Sequence, residues 1–286
     1  MKKDLATTKE DNSIIESWMQ RLWFWADLNS IPDEILPRDR KRLLKLTTLD
    51  LSKSSLRDLP KEIGELSSLT ELDLSMNNLT ELPTEIGKLS NLDRLTLSLN
   101  KLTKLPKSIW ELKNLKNLSM WSIGLKEIPK EVEQLSNLTH LGLLGNSITK
   151  IPDEMWRLGK LSDLNLAFNK IKKLPKDIKK LNRLARLSIW KNNLAELPKE
   201  IGELSNLTDL NISFNRITKI PEELGNLENL TELNMAYNTI TELPETIENL
   251  RHLTTFDLSN NKITKLPEGI GKLNKLEKNG CEIFWI

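Results

Sequence analysis

Residues 69–91 read LTELDLSMNNLTELPTEIGKLSN, and this stretch is one copy of a motif that fills most of the chain. The leucine at its first position returns every 23 residues without insertion or deletion. These leucines are Leu46, Leu69, Leu92, Leu115, Leu138, Leu161, Leu184, Leu207, Leu230, Leu253 and Leu276. An uninterrupted internal period of this length indicates stacked copies of one supersecondary unit, so residues 46–275 are predicted to form a single array of ten units.

Each unit follows the pattern L-x-x-L-x-L-x-x-N-x-L-x-x-L-P-x-x-I-G-x-L-x-N, and we number its positions from the first leucine. Leucines at positions 4 and 6 alternate with other residues, which is the period of a short β-strand with one buried face. One such strand per unit, always running the same way, predicts a parallel sheet whose leucines pack inward. No unit can bury its leucines alone, so the stability of each depends on its neighbours.

The asparagine at position 9 is predicted to form a hydrogen-bonded ladder along the array. Its side-chain amide carries both donors and an acceptor, which can satisfy backbone groups where each strand turns away. Eight of the ten units keep it, as Asn77, Asn100, Asn146, Asn169, Asn192, Asn215, Asn238 and Asn261. Ser54 and Ile123 replace it, so we expect an irregular backbone around Ile123, compensated by a neighbour such as Ser122, a water molecule or a backbone shift.

The second half of the unit, L-P-x-x-I-G-x-L, predicts the return path. Proline fixes φ and removes an amide donor, which favours an extended or turning segment over a second sheet. The next residues have room for one short helical turn, and Trp110 and Trp156 fall beside it, where we expect them to pack on the convex side. The predicted fold class is therefore α/β: a solenoid with a parallel sheet on its concave face and short helical turns or extended segments on its convex face.

The motif L-P-x-x-I-G-x-L-x-N-L closely resembles the intracellular 23-residue leucine-rich repeats of the Ras-group proteins, which include Ras-suppressor-type and LAP-type scaffolds. It is equally similar to arrays of the same class in bacterial proteins. The resemblance covers residues 46–275 and implies a curved leucine-rich-repeat solenoid that binds proteins. It carries over no catalytic residues, because the consensus positions are structural and the choice of partner lies in the variable ones.

The composition excludes several classes of function. The chain has 42 Lys and Arg against 40 Asp and Glu, and this balance gives no overall field for nucleic acid or an anionic membrane. One cysteine rules out an internal disulfide, and with two histidines it leaves too few ligands for a zinc site, so no metal or cofactor is expected. No apolar signal segment follows Met1 and no apolar run is long enough to span a membrane, so we expect a monomeric cytoplasmic protein.

Residues 1–45 are predicted to hold an N-terminal tail and a helical cap, because the first unit of a solenoid otherwise exposes its core. The stretch from Ser13 to Glu16 fits the capping box of a helix start. Apolar residues then recur at helical spacing, and they are Ile15, Trp18, Met19, Leu22, Trp23 and Ala26. The alternative is a helix on which Trp18, Trp23 and Trp25 face a membrane surface or a partner.

Residues 276–286 break the repeat and are predicted to cap the other end. Ile283, Phe284, Trp285 and Ile286 are very apolar for a chain terminus, so we expect them to fold back over the last unit. The alternative is that the terminal carboxylate enters a PDZ-like groove of a partner. Cys281 is expected to be a buried thiol in a reducing compartment.

A catalytic hypothesis arises at position 3, where successive units place Asn117, His140, Asp163 and Arg186 in one row about 4.8 Å apart. Ser119 lies beside this row, so a serine, a histidine and an aspartate would be neighbours. A shallow strand face offers no helix N-terminus or turn as an oxyanion site, which favours a polar row on a binding surface. We expect no enzymatic activity, and a hydrolase using His140 is the least favoured alternative.

Large side chains at positions 7 and 8 predict where a partner binds. Position 7 is small in most units, whereas Trp121, Leu144 and Trp190 are large. The two tryptophans are three periods apart, so they stand about 14 Å apart over an apolar floor that includes Ala167, which is typical of an interface hot spot. Position 8 adds aromatic residues, which we expect to be half-buried. The predicted partner-binding residues are Trp121, His140, Leu144, Asp163, Phe168, Arg186, Trp190, Lys191, Phe214 and Tyr237.

Charge is segregated along the array although the total is near zero. Residues 150–191 carry 12 Lys and Arg against 4 Asp and Glu, whereas residues 196–250 carry 3 against 11. This pattern is typical of solvated surface charge, or alternatively of a two-signed surface that orients a partner. The sequence thus predicts a non-catalytic scaffold that binds a protein, not nucleic acid, on its concave face. The alternative is a bacterial effector-type adaptor in a host cytosol, which the polar residues 1–12 permit.

Overall fold

The computed structural model describes residues 16–102, 104–269 and 282–284. Two α-helices come first, α1 (Ser17–Leu28) and α2 (Arg40–Leu44). The strands are β1 (Thr48–Asp50), β2 (Glu71–Asp73), β3 (Arg94–Thr96), β4 (Asn117–Ser119), β5 (His140–Gly142), β6 (Asp163–Asn165), β7 (Arg186–Ser188), β8 (Asp209–Asn211), β9 (Glu232–Asn234), β10 (Thr255–Asp257) and β11 (Glu282–Phe284). Neither of the two helices in the described part of the chain is long and apolar enough to cross a membrane.

Short 3-10 helices lie on the return path of the first nine units, directly after the proline of each. Their bounds are Lys61–Glu65, Thr84–Lys88, Lys107–Glu111, Lys130–Gln134, Asp153–Arg157, Lys176–Lys180, Lys199–Glu203, Glu222–Asn226 and Glu245–Asn249. The proline is the last extended residue before each turn, as Pro60 shows with φ −71° and ψ 147°. Its locked φ suits the start of a helix and its missing N–H leaves no donor unsatisfied there. The prediction of a short helical turn is confirmed for these nine units, and the turn of the tenth unit lies mostly outside the described residues.

The eleven strands form one parallel sheet in chain order. Neighbouring units pair in the register that the repeat requires, so that Leu49 of β1 faces Leu72 of β2. The predicted fold class, an α/β leucine-rich-repeat solenoid, is confirmed by this topology. The strand β11 was not predicted, and it pairs Thr255 with Glu282, an offset of 27 residues in place of 23. The rest of the predicted C-terminal cap, including Cys281 and residues 285–286, lies outside the described residues.

The leucines of the strands and of the return paths form one continuous apolar core. In the unit from 69 to 91, the side chains of Leu69, Leu72, Leu74, Leu79 and Ile86 are completely inaccessible to solvent. Each such side chain stabilises the fold by about 1.5–3 kcal/mol relative to an exposed one. Because each unit contacts chiefly its neighbours, this stabilisation is repeated along the array and is not concentrated at one centre.

The position-9 asparagines form the predicted ladder. The Nδ2 atom of Asn77 donates to the carbonyl oxygens of Leu51 at 2.8 Å and of Leu74 at 2.9 Å, and its Oδ1 accepts from the N–H of Leu56 at 2.9 Å. The same three bonds recur as far as Asn261. Each amide therefore ties its own strand end to the preceding unit, and its loss would leave buried backbone groups without partners.

The backbone around Ile123 is irregular, as the missing ladder asparagine predicts. Ile123 is 2% exposed and its side chain fills the core. Within the described residues nothing accepts a hydrogen bond from the N–H of Leu102, whose equivalents in other units bond to the ladder amide. Neither Ser122 nor the next ladder residue replaces this bond within the described residues: the Oδ1 of Asn146 accepts from the N–H groups of Ile123 (3.2 Å) and Leu125 (3.0 Å) and not from that of Leu102.

Two tryptophans on the convex side replace the glycine at position 19. A Cβ atom on Gly202 would lie 2.0 Å from the carbonyl oxygen of Glu223, so units with glycine stack too closely for any side chain there. Trp110 and Trp156 occupy the same position at 2% and 0% exposure, which requires the following turn to stand further away. Beside Trp110 a groove of about 620 Å³ opens against the unit that carries Ile123. The expected convex packing of both tryptophans is confirmed.

The helix α1 turns its apolar face onto the array. Met19 and Leu22 are completely buried, and Trp18 and Trp23 are half-buried against the same core. Trp25 is 8% exposed. This burial contradicts the alternative in which the three tryptophans of the helix face a membrane or a partner. The division of the chain into residues 1–45, 46–275 and 276–286 stays a prediction.

Polar contacts fix α1 to the first unit. The indole N–H of Trp25 donates to the carboxylate of Asp58 at 3.2 Å. The guanidinium of Arg21 pairs with Glu62 at 2.5 Å. Burial is the largest single influence and opposes ionisation of the Glu62 carboxyl, but the hydrogen bond and charge of Arg21, a backbone N–H and the charge of Lys61 together outweigh it, so the pKa of Glu62 lies below its ordinary value. The ion pair therefore holds a charged carboxylate at the joint between the helix and the array.

The start of α1 differs in part from the prediction. The helix begins at Ser17, and Glu16 precedes it without a capping hydrogen bond from its side chain. The predicted capping box starts at Ser13, and residues 13–15 lie outside the described part of the chain. The sequence analysis did not predict α2, although Asp39 caps it by accepting from the N–H of Arg42 at 2.8 Å.

We expect Ile123→Asn to leave the free energy of unfolding unchanged or to raise it, as measured by urea denaturation. The new amide would accept from the N–H of Leu102, and an unsatisfied buried donor costs about 1–3 kcal/mol, which offsets the lost burial of isoleucine. The reverse substitution Asn100→Ile is the matched control and should lower the free energy by a similar amount. A loss above about 2 kcal/mol for Ile123→Asn would show that the core needs the isoleucine more than the turn needs an amide.

We expect Leu22→Ala to lower the free energy of unfolding by about 2–5 kcal/mol, because the substitution opens a cavity between α1 and the first unit. Phe24→Ala is the matched control on the other face of the helix, where the phenylalanine is 66% exposed. It should change the free energy by no more than about 0.5 kcal/mol. Equally small effects in both variants, measured by thermal and urea unfolding, would mean that α1 is not docked.

Candidate partner-binding surface

The predicted polar row lies on four adjacent strands. Asn117 of β4 faces His140 of β5, His140 faces Asp163 of β6, and Asp163 faces Arg186 of β7. Asp163 and Arg186 form an ion pair at 2.7 Å, with their side chains 27% and 55% exposed. An ion pair this exposed adds little to stability. The row therefore offers a partner charged and hydrogen-bonding groups without being needed by the fold.

The structure does not assemble the serine, histidine and aspartate of the hydrolase hypothesis into a catalytic arrangement. The Nδ1 atom of His140 is hydrogen-bonded with the hydroxyl of Thr139 at 2.9 Å. The carboxylate of Asp163 accepts from Arg186, and the hydroxyl of Ser119 is 3.0 Å from that of Ser98. Nucleophilic catalysis needs the nucleophile within hydrogen-bond reach of its base, and each group here has a different partner. The described residues also hold no cluster of three His, Cys, Asp or Glu for a metal ion.

The predicted apolar anchors form what we call the concave patch: Trp121, Leu144, Phe168 and Trp190. Trp121 is 40% exposed, and Leu144 and Trp190 are half-buried. Ala167, expected to be an open floor, is completely buried. It lies between Leu144 and Trp190 at position 7, where another small side chain, that of Ala236, is buried as well at 2% exposure. The accessible surface of the patch is therefore made by the large side chains and not by a floor between them.

Aromatic contacts hold part of the concave patch in place. The rings of Phe168 and Trp190 meet edge to face, with centroids 6.2 Å apart and planes at 78°. The ammonium of Lys191 lies 4.1 Å from the centroid of the Phe168 ring. Contacts of these two kinds each contribute about 0.5–1.5 kcal/mol. They order the side chains before any partner arrives, which lowers the entropy that binding has to overcome.

The residues at position 8 are more exposed than the sequence analysis expects. Phe168, Phe214 and Tyr237 are 45%, 46% and 47% exposed, and Met76 and Leu99 in the same row are 47% and 40% exposed. Phe214 and Tyr237 stack face to face with centroids 4.1 Å apart and planes at 10°. The position-8 row is thus an exposed apolar strip beside the concave patch.

A left-handed backbone explains this exposure. All ten residues at position 8 have positive φ, from Lys53 at 56° to Asn260 at 57°. In this conformation the N–H of Phe214 donates to the carbonyl oxygen of Ala236 in the next unit at 2.9 Å. A residue other than glycine in this region costs about 1–3 kcal/mol, and asparagine tolerates it better than phenylalanine or tyrosine. The backbone therefore explains why side chains at this position are exposed, but neither the backbone nor burial explains why several of them are aromatic.

A pair of carboxylates that the sequence analysis missed lies on the next strands. Asp209 of β8 faces Glu232 of β9 in the same row as Asp163 and Arg186. Burial raises the pKa of Asp209, and the neighbouring carboxylate of Glu232 raises it further. The signal in the sequence is the spacing of one period between the two acidic residues, which puts them side by side.

These features together define a solenoid of parallel strands, 3-10 return paths and a buried asparagine ladder. A family model described as a leucine-rich repeat region matches residues 31–150 and 153–238, and a second, described as a leucine rich repeat, matches residues 229–278. The chain belongs to the leucine-rich repeat family. A comparison with curated proteins found no match.

Solved structures share the fold over most of this chain. A TDR receptor is 32% identical with a TM-score of 0.75, covering 85% of this chain and 42% of its own. The ectodomain of the receptor kinase GASSHO1/SCHENGEN3 from Arabidopsis thaliana, in complex with CASPARIAN STRIP INTEGRITY FACTOR 2, is 30% identical with a TM-score of 0.70, covering 84% and 28%. The functional domain of InlJ from Listeria monocytogenes is 27% identical with a TM-score of 0.61, covering 81% and 55%. The chain thus spans less than two thirds of each of these proteins.

We expect Asp209→Asn to raise the melting temperature at neutral pH. Because the pKa of Asp209 is higher in the folded state than in the unfolded state, ionisation of its carboxylate destabilises the fold. The stability that goes with the protonated form is lost as pH rises through the folded-state pKa. The gain should therefore shrink as pH falls towards the range where Asp209 is protonated in both states. Asp163→Asn is the control and should lower the melting temperature slightly at neutral pH, because it removes the pair with Arg186. A gain for Asp209→Asn that is independent of pH would contradict this account.

Proposed function

We propose that the chain is a non-catalytic scaffold that binds a protein partner on its concave face. The observation that carries this proposal is the concave patch, where large apolar side chains are accessible and partly held by their own contacts. His140, Asp163, Arg186 and Lys191 surround it with polar groups. Exposed apolar patches with a polar rim are typical of protein-binding sites, and aromatic residues are frequent among the residues that dominate binding energy.

The similar proteins support a protein ligand for a solenoid of this kind. The GASSHO1/SCHENGEN3 ectodomain was solved in complex with CASPARIAN STRIP INTEGRITY FACTOR 2. The likeness to this chain lies in the stacked units, whose consensus positions are structural, and the chain spans 28% of that ectodomain. We therefore take from it only that stacked units of this kind can hold a bound partner, and neither the face that binds nor the identity of the partner.

We further propose that the protein is a monomer of the 23-residue Ras-group class that acts in the cytoplasm. The single cysteine of the sequence and a ladder built from asparagine amides suit a reducing compartment. A second candidate function, an effector-type adaptor in a host cytosol, is favoured only by the similarity to a bacterial domain, that of InlJ. A reporter fused to residues 1–20 separates the two, because only the effector needs this segment to direct export.

We expect Trp121→Ala to weaken binding of a captured partner at least about 30-fold, since truncation of a hot-spot residue typically costs about 2 kcal/mol or more. Stability should change little, because Trp121 is 40% exposed. Trp190→Ala should weaken binding as strongly, but it should also lower stability by about 0.5–1.5 kcal/mol, because Trp190 packs on Phe168. Partner capture from native cytosol followed by titration measures the affinities, and urea unfolding measures the stabilities.

The control for this experiment is the truncation of a large aromatic side chain that lies away from the concave face. Trp110 and Trp156 do not serve, because both are buried and their truncation would damage the core. Phe24→Ala on α1 is suitable, since this ring is 66% exposed and belongs to no strand. If the captured partner binds the double variant of Trp121 and Trp190 normally, or loses affinity equally for Phe24→Ala, the concave patch is not the binding site.

A further inference from the structure

A second surface lies along the edge of the sheet where the strands end, next to the concave patch. We call it the basic-aromatic edge and define it by Phe168, Lys191, Phe214, Arg216 and Tyr237. Four of these residues are at position 8, and Arg216 is at position 10 of its unit. All five are exposed to solvent. They come from four consecutive units, so stacking brings them into one strip.

The cations of this edge have no anionic partner within the described residues. The ammonium of Lys191 lies over the ring of Phe168, and neither Lys191 nor Arg216 makes an ion pair with any described residue. Lys170 and Lys262, which share position 10 with Arg216 in other units, are likewise exposed and without an ion pair in the described ranges. On the concave face, in contrast, Arg186 is neutralised by Asp163. Lys191 and Arg216 are therefore available to pair with carboxylates of another molecule.

The aromatic rings stand beside these cations. The stacked rings of Phe214 and Tyr237 line a shallow depression of about 490 Å³, together with Lys191, Arg216, the half-buried Asn193 and the exposed Asn260. The backbone under the rings is fixed, because the N–H of Tyr237 donates to the carbonyl oxygen of Ser259 at 2.9 Å. The depression thus combines a rigid apolar wall with cations and neutral amides.

We propose that the basic-aromatic edge binds an acidic segment of the partner protein, one that also carries an aromatic or aliphatic side chain. This inference rests on the proposed function, because it names the chemistry of the partner. Carboxylates would pair with Lys191 and Arg216, and the apolar side chain would pack on the stack of Phe214 and Tyr237. Arg and Tyr are enriched among interface residues that dominate binding, and a preordered surface loses little entropy on binding.

The charges of the neighbouring strands favour an acidic protein segment over nucleic acid. Asp209 and Glu232 lie side by side on β8 and β9, in the same two units that carry Phe214 and Tyr237. A single strand of nucleic acid has a phosphate at every step and would bring several charges near this pair. A peptide can place its carboxylates on the edge alone and neutral residues elsewhere.

The test uses the full chain and a fluorescent peptide with one Glu-Glu-Phe segment between neutral Gly-Ser flanks, titrated by fluorescence anisotropy. We expect saturable binding that weakens with added salt. The double variant Lys191→Glu with Arg216→Glu should weaken it at least about tenfold, and Phe214→Ala should weaken it by a similar factor. The same peptide with Lys-Lys-Phe in place of Glu-Glu-Phe, and a thymidine oligonucleotide, are the competing probes and should bind more weakly.

Matched controls exist at the other end of the array. Leu99 is at position 8 and exposed, and Lys101 is at position 10 and exposed, but no aromatic stack accompanies them. Leu99→Ala and Lys101→Glu should leave the affinity for the Glu-Glu-Phe peptide unchanged. The proposal is overturned if this peptide does not bind saturably, if either competing probe binds as tightly, or if the variants of the edge and the controls behave alike.

The result of this peptide test can be distinguished from the result of the test of the proposed function. Trp121→Ala should abolish capture of the partner but leave the affinity of the Glu-Glu-Phe peptide unchanged, because Trp121 lies two units away from the edge. If the edge variants lose peptide binding but still capture the partner normally, the edge binds the peptide but is not part of the partner interface. Loss of peptide binding in Trp121→Ala alone would move the acidic site to the concave patch and overturn its placement on the edge.

Discussion

The buried amide of each ladder asparagine is the interaction on which the rest of the structure depends. It bonds to carbonyl oxygens of its own strand end and of the preceding unit, and it accepts from the N–H two positions beyond the ladder in that unit. To bring the amide into this place, the chain turns through a left-handed residue directly before it. That turn ends the strand and directs the side chain at position 8 outwards. The core, the register and the exposed edge therefore follow from one repeated set of hydrogen bonds.

The sequence predicts whatever a fixed period determines. Stacking identical units puts equivalent positions in register, so the order of the strands, the row from Asn117 to Arg186 and the defect at Ile123 could be read in advance. The period says nothing about residues without an equivalent, and α2 and β11 were therefore missed. It also gives position but not exposure: Ala167 is buried, as is Ala236 at the same position, and Phe214 is exposed because of its backbone conformation. The acidic pair of Asp209 and Glu232 was available from spacing alone, since both stand at position 3.

The candidate surfaces and the core use separate positions of the same unit. Leucines at positions 1, 4 and 6 carry the stability, whereas positions 3, 5, 7 and 8 face solvent or each other across the sheet. The exposed ion pair of Asp163 with Arg186 and the stack of Phe214 on Tyr237 add little to stability compared with buried leucines. Substitutions at these positions can therefore alter the chemistry of the surface in small steps without disturbing the fold. This separation explains why a highly regular array carries an irregular pattern of charges and rings.

The joint between the units 92–114 and 115–137 has a consequence for how the array comes apart. On one side of the solenoid it lacks a ladder amide, because Ile123 cannot bond to Leu102, and on the other side Trp110 holds the return paths apart. In an array whose stability is a sum of nearest-neighbour couplings, the weakest coupling divides the cooperative blocks. Amide protons on the two sides of this joint should therefore exchange with solvent as two groups with different protection. Under mechanical load, the same joint is where a partner pulling on the concave face would first separate the two ends of the molecule.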